Sequence, residues 1–131
     1  MSVESIILQI MKDVPKAVAC GIVDMSSGML LGVKSVDSHP QEVLDLVAAA
    51  TRDLFEGDSV TEIENTFKKT RGIQTDERYF KEILVMSSNL LHIFARLKRQ
   101  PTVVITAVCR IDTNIGLALM KMRSVTAAAT I

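Results

Sequence analysis

The stretch LLHIFARLKRQPTVVITAVCR, from Leu90 to Arg110, decides the fold. Two apolar runs flank the polar turn Arg99-Gln100-Pro101. In the first run, Leu91, Ile93, Ala95 and Leu97 fall on one side of a strand, with Leu90, His92, Phe94 and Arg96 on the other, because side chains alternate between faces. The second run, Thr102 to Arg110, is the most β-branched part of the chain and is apolar on both faces. That pattern marks a central strand. Immediately upstream, Phe80 to Met86 reads as a further strand, closed by the turn residues Ser87-Ser88-Asn89.

Working outward, Asp112-Thr113-Asn114 offers caps for a last helix, and Ile115, Ala118, Leu119, Met122 and Val125 follow at helical spacing. The tail Ala127 to Ile131 is expected to fray. At the other end, Val3, Ile6, Ile7, Ile10, Met11 and Val14 give an amphipathic helix that stops before Pro15. Val18 to Met25 and Met29 to Val36 surround Ser26-Ser27-Gly28 and read as a hairpin, with Asp24 as a turn residue. A second helix opens near Pro40, capped by Ser38 or His39, and stops at Gly57. Its stripe Val43, Val47, Ala50, Leu54 is flanked by Leu44, Ala48 and Phe55, with Leu46 on the far edge. The apolar arc is about 200° wide, more than a helix lying on a sheet needs, and a partner helix is the simplest second contact. Between Asp58 and Arg78, Val60, Ile63, Glu64 and Phe67 suit a short helix capped by Asp58 or Ser59. It ends at Lys68-Lys69-Thr70-Arg71-Gly72, and Gln74 to Arg78 reads as a loop.

The predicted class is α+β, ordered α-β-β-α-β-β-β-α. Its five-stranded, mainly antiparallel sheet carries helices on its faces. At 131 residues the chain fits one domain, 1–131, with 58–79 as an insert or mobile loop.

Charge is balanced, 15 basic against 15 acidic residues, which gives no electrostatic reason to expect nucleic acid or an anionic membrane. The hydrophobic fraction of 48% is high for so small a domain, so either the core is dense or another subunit covers apolar surface. No run is long enough for a membrane span and no signal peptide is evident, so a cytoplasmic location is expected. Cys20 and Cys109 sit in apolar runs with no metal-ligand spacing and read as buried, reduced thiols.

No catalytic, cofactor-binding or metal-binding constellation emerges. Ser27-Gly28 lacks the glycines of a nucleophile elbow. Gly21, Gly28 and Gly32 match no phosphate loop. His39 reads as a capping or solvated residue and His92 as a structural one. Glu62 and Glu64, two residues apart, do not share a helix face and read as solvated. Lys68, Lys69 and Arg71 suit the negative end of a helix dipole, and are also the candidate surface for phosphate or an acidic protein partner. Met86, Met120 and Met122 read as packing.

With the order of elements in place, the chain resembles the roadblock / dynein light chain family, which has a profilin-like layout. The likeness lies in Ala19-Cys20-Gly21-Ile22-Val23-Asp24 and Ser27-Gly28-Met29-Leu30-Leu31 at the hairpin position, the alanine-rich helix Val43 to Leu54, the long hairpin Leu84 to Leu97, and Asn114-Ile115-Gly116-Leu117 opening the last helix. The stretch Asp58 to Arg78 looks longer than in the family. The resemblance implies dimers, with itself or a paralogous subunit, that pair the alanine-rich helices and join edge strands. On this chain the expected interface is Val43, Leu44, Val47, Ala48, Ala50 and Leu54 with Phe80, Ile83 and Val85. It also implies a non-catalytic regulator or scaffold for a Ras-like small GTPase, stimulating the partner without catalytic residues of its own. The alternatives are a constitutive adaptor subunit and a small-ligand sensor binding near His92, Phe94 and Arg96.

Overall fold

A computed structural model describes residues 2–131. Helix α1 (Val3–Asp13) begins with a reciprocal cap. The Ser5 amide donates to the Ser2 hydroxyl at 3.0 Å, and the Ser2 amide donates to the Ser5 hydroxyl at 3.1 Å. Strands β1 (Ala17–Asp24) and β2 (Met29–Ser35) form the expected hairpin. At its turn the Asp24 carboxylate accepts from the hydroxyls of Ser26 and Ser27, both at 2.8 Å.

Helix α2 spans Gln41–Glu56. It starts one residue later than expected. Pro40 holds the cap position, where its carbonyl accepts from the Val43 amide, and neither Ser38 nor His39 caps it. Gly57 alone joins α2 to helix α3 (Asp58–Arg71). A Cβ at Gly57 would lie 2.6 Å from the Asp53 carbonyl oxygen, so this corner excludes a side chain. Gly72, with φ of 67°, ends α3 in a left-handed cap. The segment expected as a short helix followed by loop is thus a fourteen-residue helix, capped by Gly57 rather than Asp58 or Ser59, with an irregular return over 72–81.

Strands β3 (Glu82–Met86), β4 (Leu90–Arg96) and β5 (Val103–Arg110) lead to helix α4 (Ile115–Ala128), whose cap is Asn114. The five strands form one sheet in the order β2-β1-β5-β4-β3, and every pairing is antiparallel. β5 is central, as its two apolar faces required. The C-terminus does not fray as expected: Ala129 is buried, and Gln100 donates to the Ile131 carbonyl at 3.1 Å.

The sheet divides the interior into two unequal parts. On one face, α1 and α4 seal Cys20, Ile22, Leu91, Ile93, Ala95, Leu97, Ile105 and Ala107. On the other, α2 covers a smaller cluster: Val23, Met25, Ala48, Phe55, Phe94 and Val104. Phe55 and Phe94 meet edge to face, 6.4 Å between centroids.

Candidate interaction face

The functional residues expected from sequence concentrate on α2. Only Ala48, Thr51 and Phe55 of this helix are buried. Val43, Val47, Ala50 and Leu54 line its outward side, joined by Leu46, which at 65% is the most exposed large residue of the stripe. The spacing 43, 46, 47, 50, 54 is a continuous apolar seam at helical period. Leu46 belongs to that seam, and its position three residues after Val43 and four before Ala50 was the signal for it.

Ala48 is a correction. At 1% exposure it faces the sheet and packs with Phe55 and Phe94, so it has no surface left to offer a second chain. Leu44 is half-buried on the flank.

The second expected component is β3, an edge strand with one side unpaired. Its register sets Ile83 opposite Phe94 and Val85 opposite His92, which puts both on the same face as α2. Val85 is exposed, whereas Ile83 is half-buried against the smaller cluster. Phe80 precedes the strand rather than opening it, packs on the same cluster, and accepts from Arg96 Nε through its carbonyl at 2.7 Å.

A chain of charges fastens α2, α3 and the return segment to β4. Arg96 Nη1 stands 3.1 Å from Glu56 Oε2, and its guanidinium also donates to the carbonyls of Pro101 and Phe55. Arg96 lies over the Phe55 ring at 4.9 Å, a cation–π contact. Arg78 bridges Glu56 at 3.8 Å and Glu64 at 2.9 Å. Glu64, 2% exposed, also accepts from the Tyr79 amide. The expected solvated Glu62/Glu64 pair is therefore split: Glu62 is exposed, and Glu64 is the one residue α3 buries. Among α3's other residues, Phe67 stacks on Tyr79 at 5.9 Å and stays half-exposed, beside exposed Ile63.

Lys68, Lys69 and Arg71 occupy the last turn of α3. Lys69 and Arg71 are exposed, while Lys68 Nζ lies 5.9 Å over the Tyr79 ring. None of the three forms a salt bridge with the described residues.

The remaining candidates fall elsewhere. His39 is exposed near the start of α2. His92 sits mid-strand, its ring stacked on Phe94 at 6.4 Å. Arg96 is wholly engaged in the charge chain and lines no space shared with His92. Burial pushes the Cys20 thiol up to about 12 and the Cys109 thiol up to about 11, values at which neither supplies a thiolate near neutrality. Among the described residues no group of three or more His, Cys, Asp or Glu is placed to hold a metal ion, and no helix is long and apolar enough to cross a membrane.

No family model and no curated protein matches the chain. Solved structures do. Myxococcus xanthus MglB is 14% identical, with 95% of this chain and 88% of that chain covered and a TM-score of 0.69. MglB with a tetrameric arrangement is 12% identical, covering 96% and 83% at a TM-score of 0.71. A Roadblock/LC7 domain from Streptomyces avermitilis is 11% identical, covering 96% and 92% at 0.67. The expected five-stranded antiparallel sheet with helices, to which α3 is added, thus matches known structures, and the chain has the roadblock fold.

Proposed function

We propose that this chain is a non-catalytic, dimerising interaction module that regulates or scaffolds a Ras-like small GTPase. The observation that carries the reading is the exposed apolar seam of α2, Val43, Leu46, Val47, Ala50 and Leu54, on a sheet whose edge strand β3 is unpaired. A seam of this kind is satisfied by its own copy across a twofold axis, or by the same helix of a paralogous subunit. Val85 on the edge strand would then join the seam as the sheet extends by strand addition. The likeness in fold to MglB, one structure of which is described as tetrameric, supports self-association.

The GTPase part of the reading rests on the roadblock resemblance. A regulator of this kind works by ordering its partner's own catalytic groups, and so needs no nucleophile or general base itself. Lys68, Lys69 and Arg71 are the proposed contact for an acidic partner surface. A cytoplasmic location goes with this reading.

Light scattering after size exclusion tests the first part: the wild-type chain should run as a dimer and Ala50→Glu as a folded monomer. An immobilised wild-type chain, offered cell lysate with a non-hydrolysable GTP analogue or with GDP, tests the second. A Ras-like GTPase held in only one nucleotide state supports the proposal. A partner held equally in both states would replace it with a constitutive adaptor.

A further inference from the structure

The N-terminal half of α2 stands away from the sheet. None of its first seven residues is buried, and Ala48, Thr51 and Phe55 all follow them. Beneath the first half the floor is paved with small residues: Ala19 and Gly21 of β1, and Thr106 and Val108 of β5, which pair across the register as Ala19 with Val108 and Gly21 with Thr106. Leu44, half-buried, lines the α2 side together with Val43 and Val47, which stay open to solvent and also belong to the exposed seam. The result is a cavity of about 640 Å³, within the usual range for small-molecule sites. Val23, Leu30 and Phe94 close one end. Asp37, His39, Asn89 and Arg110 rim the other.

Three polar residues interrupt the apolar lining, and one of them, Ser35, already accepts from the Asp37 amide at 3.2 Å. Thr106 is 6% exposed, and its hydroxyl has no hydrogen-bond partner among the described residues. A buried hydroxyl left without a partner is costly, and Thr106 is one of the residues that line the cavity. His92 lies diagonally across the sheet from it, since His92 pairs with Val108 and Phe94 with Thr106. His92 Nδ1 stands 3.3 Å from the Val85 carbonyl. A carbonyl only accepts, so in the tautomer that bonds it the proton is on Nδ1 and Nε2 is an acceptor. At the rim, Arg110 and Asp37 carry opposite charges, which gives no net preference for a charged ligand.

We infer that the space between α2 and the sheet is a binding site for a small, uncharged, mainly apolar molecule carrying one hydroxyl group, which Thr106 and His92 receive. The hydroxyl of such a ligand can donate to His92 Nε2 or exchange a hydrogen bond with Thr106, while its apolar body lies against Ala19, Val108 and Phe94. Two side groups meeting one polar atom in an otherwise greasy chamber is the pattern of orientation by few contacts. This inference does not use the GTPase reading, and it shares Val43 and Val47 with the proposed dimer seam.

The test uses two matched probes, 4-ethylphenol and ethylbenzene, titrated into the full chain and followed by amide chemical shifts. Saturable shifts at Gly21, His92, Thr106 and Val108 are expected, with 4-ethylphenol bound about tenfold more tightly, the value of one net hydrogen bond. Thr106→Val, which keeps the shape of the side chain, should erase most of that preference. Ala19→Met, which fills the floor, should abolish the response to both probes with the fold retained. Absence of saturable shifts at those four amides overturns the inference. So does a preference untouched by Thr106→Val, or binding that survives Ala19→Met. Cavity shifts that follow protein concentration and ignore both probes overturn it as well, because a second copy of the chain then fills the space.

Discussion

The two faces of the sheet are built to different ends. Beneath α1 and α4, residues from two helices and three strands close on one another. Ile6, Ile10, Ile22, Leu91, Ile93, Ile105 and Met122 leave essentially no surface to water. Beneath α2 a single helix contributes two apolar residues to the core, Ala48 and Phe55, and leaves Val43, Leu46, Val47, Ala50 and Leu54 exposed. One face holds the protomer together. The other trades cohesion for an exposed seam and an unfilled chamber. In a domain of this size the same aliphatic residue types serve both purposes, and only their orientation separates them.

Substitutions on the two sides should separate the same way. The largest contrast is within α2. Ala48→Glu places a charge without a partner in the smaller cluster, and should leave the chain unfolded or aggregated, as read by circular dichroism. Ala50→Glu, two residues on, should change protomer stability by no more than about 0.5 kcal/mol while abolishing self-association. Equal behaviour of the two would erase the distinction between the helix's sides. Next, Ile105→Ala on the sealed face should lower unfolding free energy by about 2–5 kcal/mol in urea titrations. Val47→Ala, measured at concentrations where the protomer is monomeric, should cost well under about 1 kcal/mol.

Glu64→Ala should cost about 2–3 kcal/mol, because it leaves the Tyr79 amide and Arg78 without their acceptor. Glu62→Ala, exposed on the same helix, should be near neutral, and a reversal of the two would return α3 to a surface decoration. The smallest effect is at the hairpin turn. Hydrogen bonds from the Ser27 and then the Ser26 hydroxyl hold the Asp24 carboxyl below its ordinary value of 3.8. A depressed folded value means the contribution is present above the unfolded value and is lost as pH falls through the folded one. Asp24→Asn should therefore lower stability slightly at neutral pH and flatten its decline below pH about 4. A parallel decline in both proteins would remove Asp24 from the acid response.

The strands were readable because their information is local. Leu91, Ile93, Ala95 and Leu97 alternate strictly with Leu90, His92, Phe94 and Arg96, and the structure keeps each set on its own face. The phase of α2 was not readable in the same way. An arc about 200° wide announces two contacts but does not say which edge meets the sheet, and Ala48 and Ala50 are chemically identical. Thr51 illustrates the point: it is buried because its hydroxyl donates to the Val47 carbonyl at 2.8 Å, which makes a polar residue acceptable underneath the helix. Glu64 was missed for a different reason. Its partners, Arg78 and the Tyr79 amide, lie fourteen and fifteen residues away across a segment with no periodic pattern. The chamber under α2 depends on small residues from β1 and β5 meeting across the sheet, a coincidence no single segment displays.

The ionic chain Arg96–Glu56–Arg78–Glu64 also has a kinetic meaning. It ties one end of α2, the body of α3 and the irregular return to a single buried guanidinium, while α3 itself has almost no apolar anchorage. Loss of any link frees everything outboard of it. The amides of α3 and the 72–81 return should therefore exchange with solvent as one cooperative unit, in an opening step that leaves the strands closed, so that this outer segment unlatches together rather than fraying residue by residue.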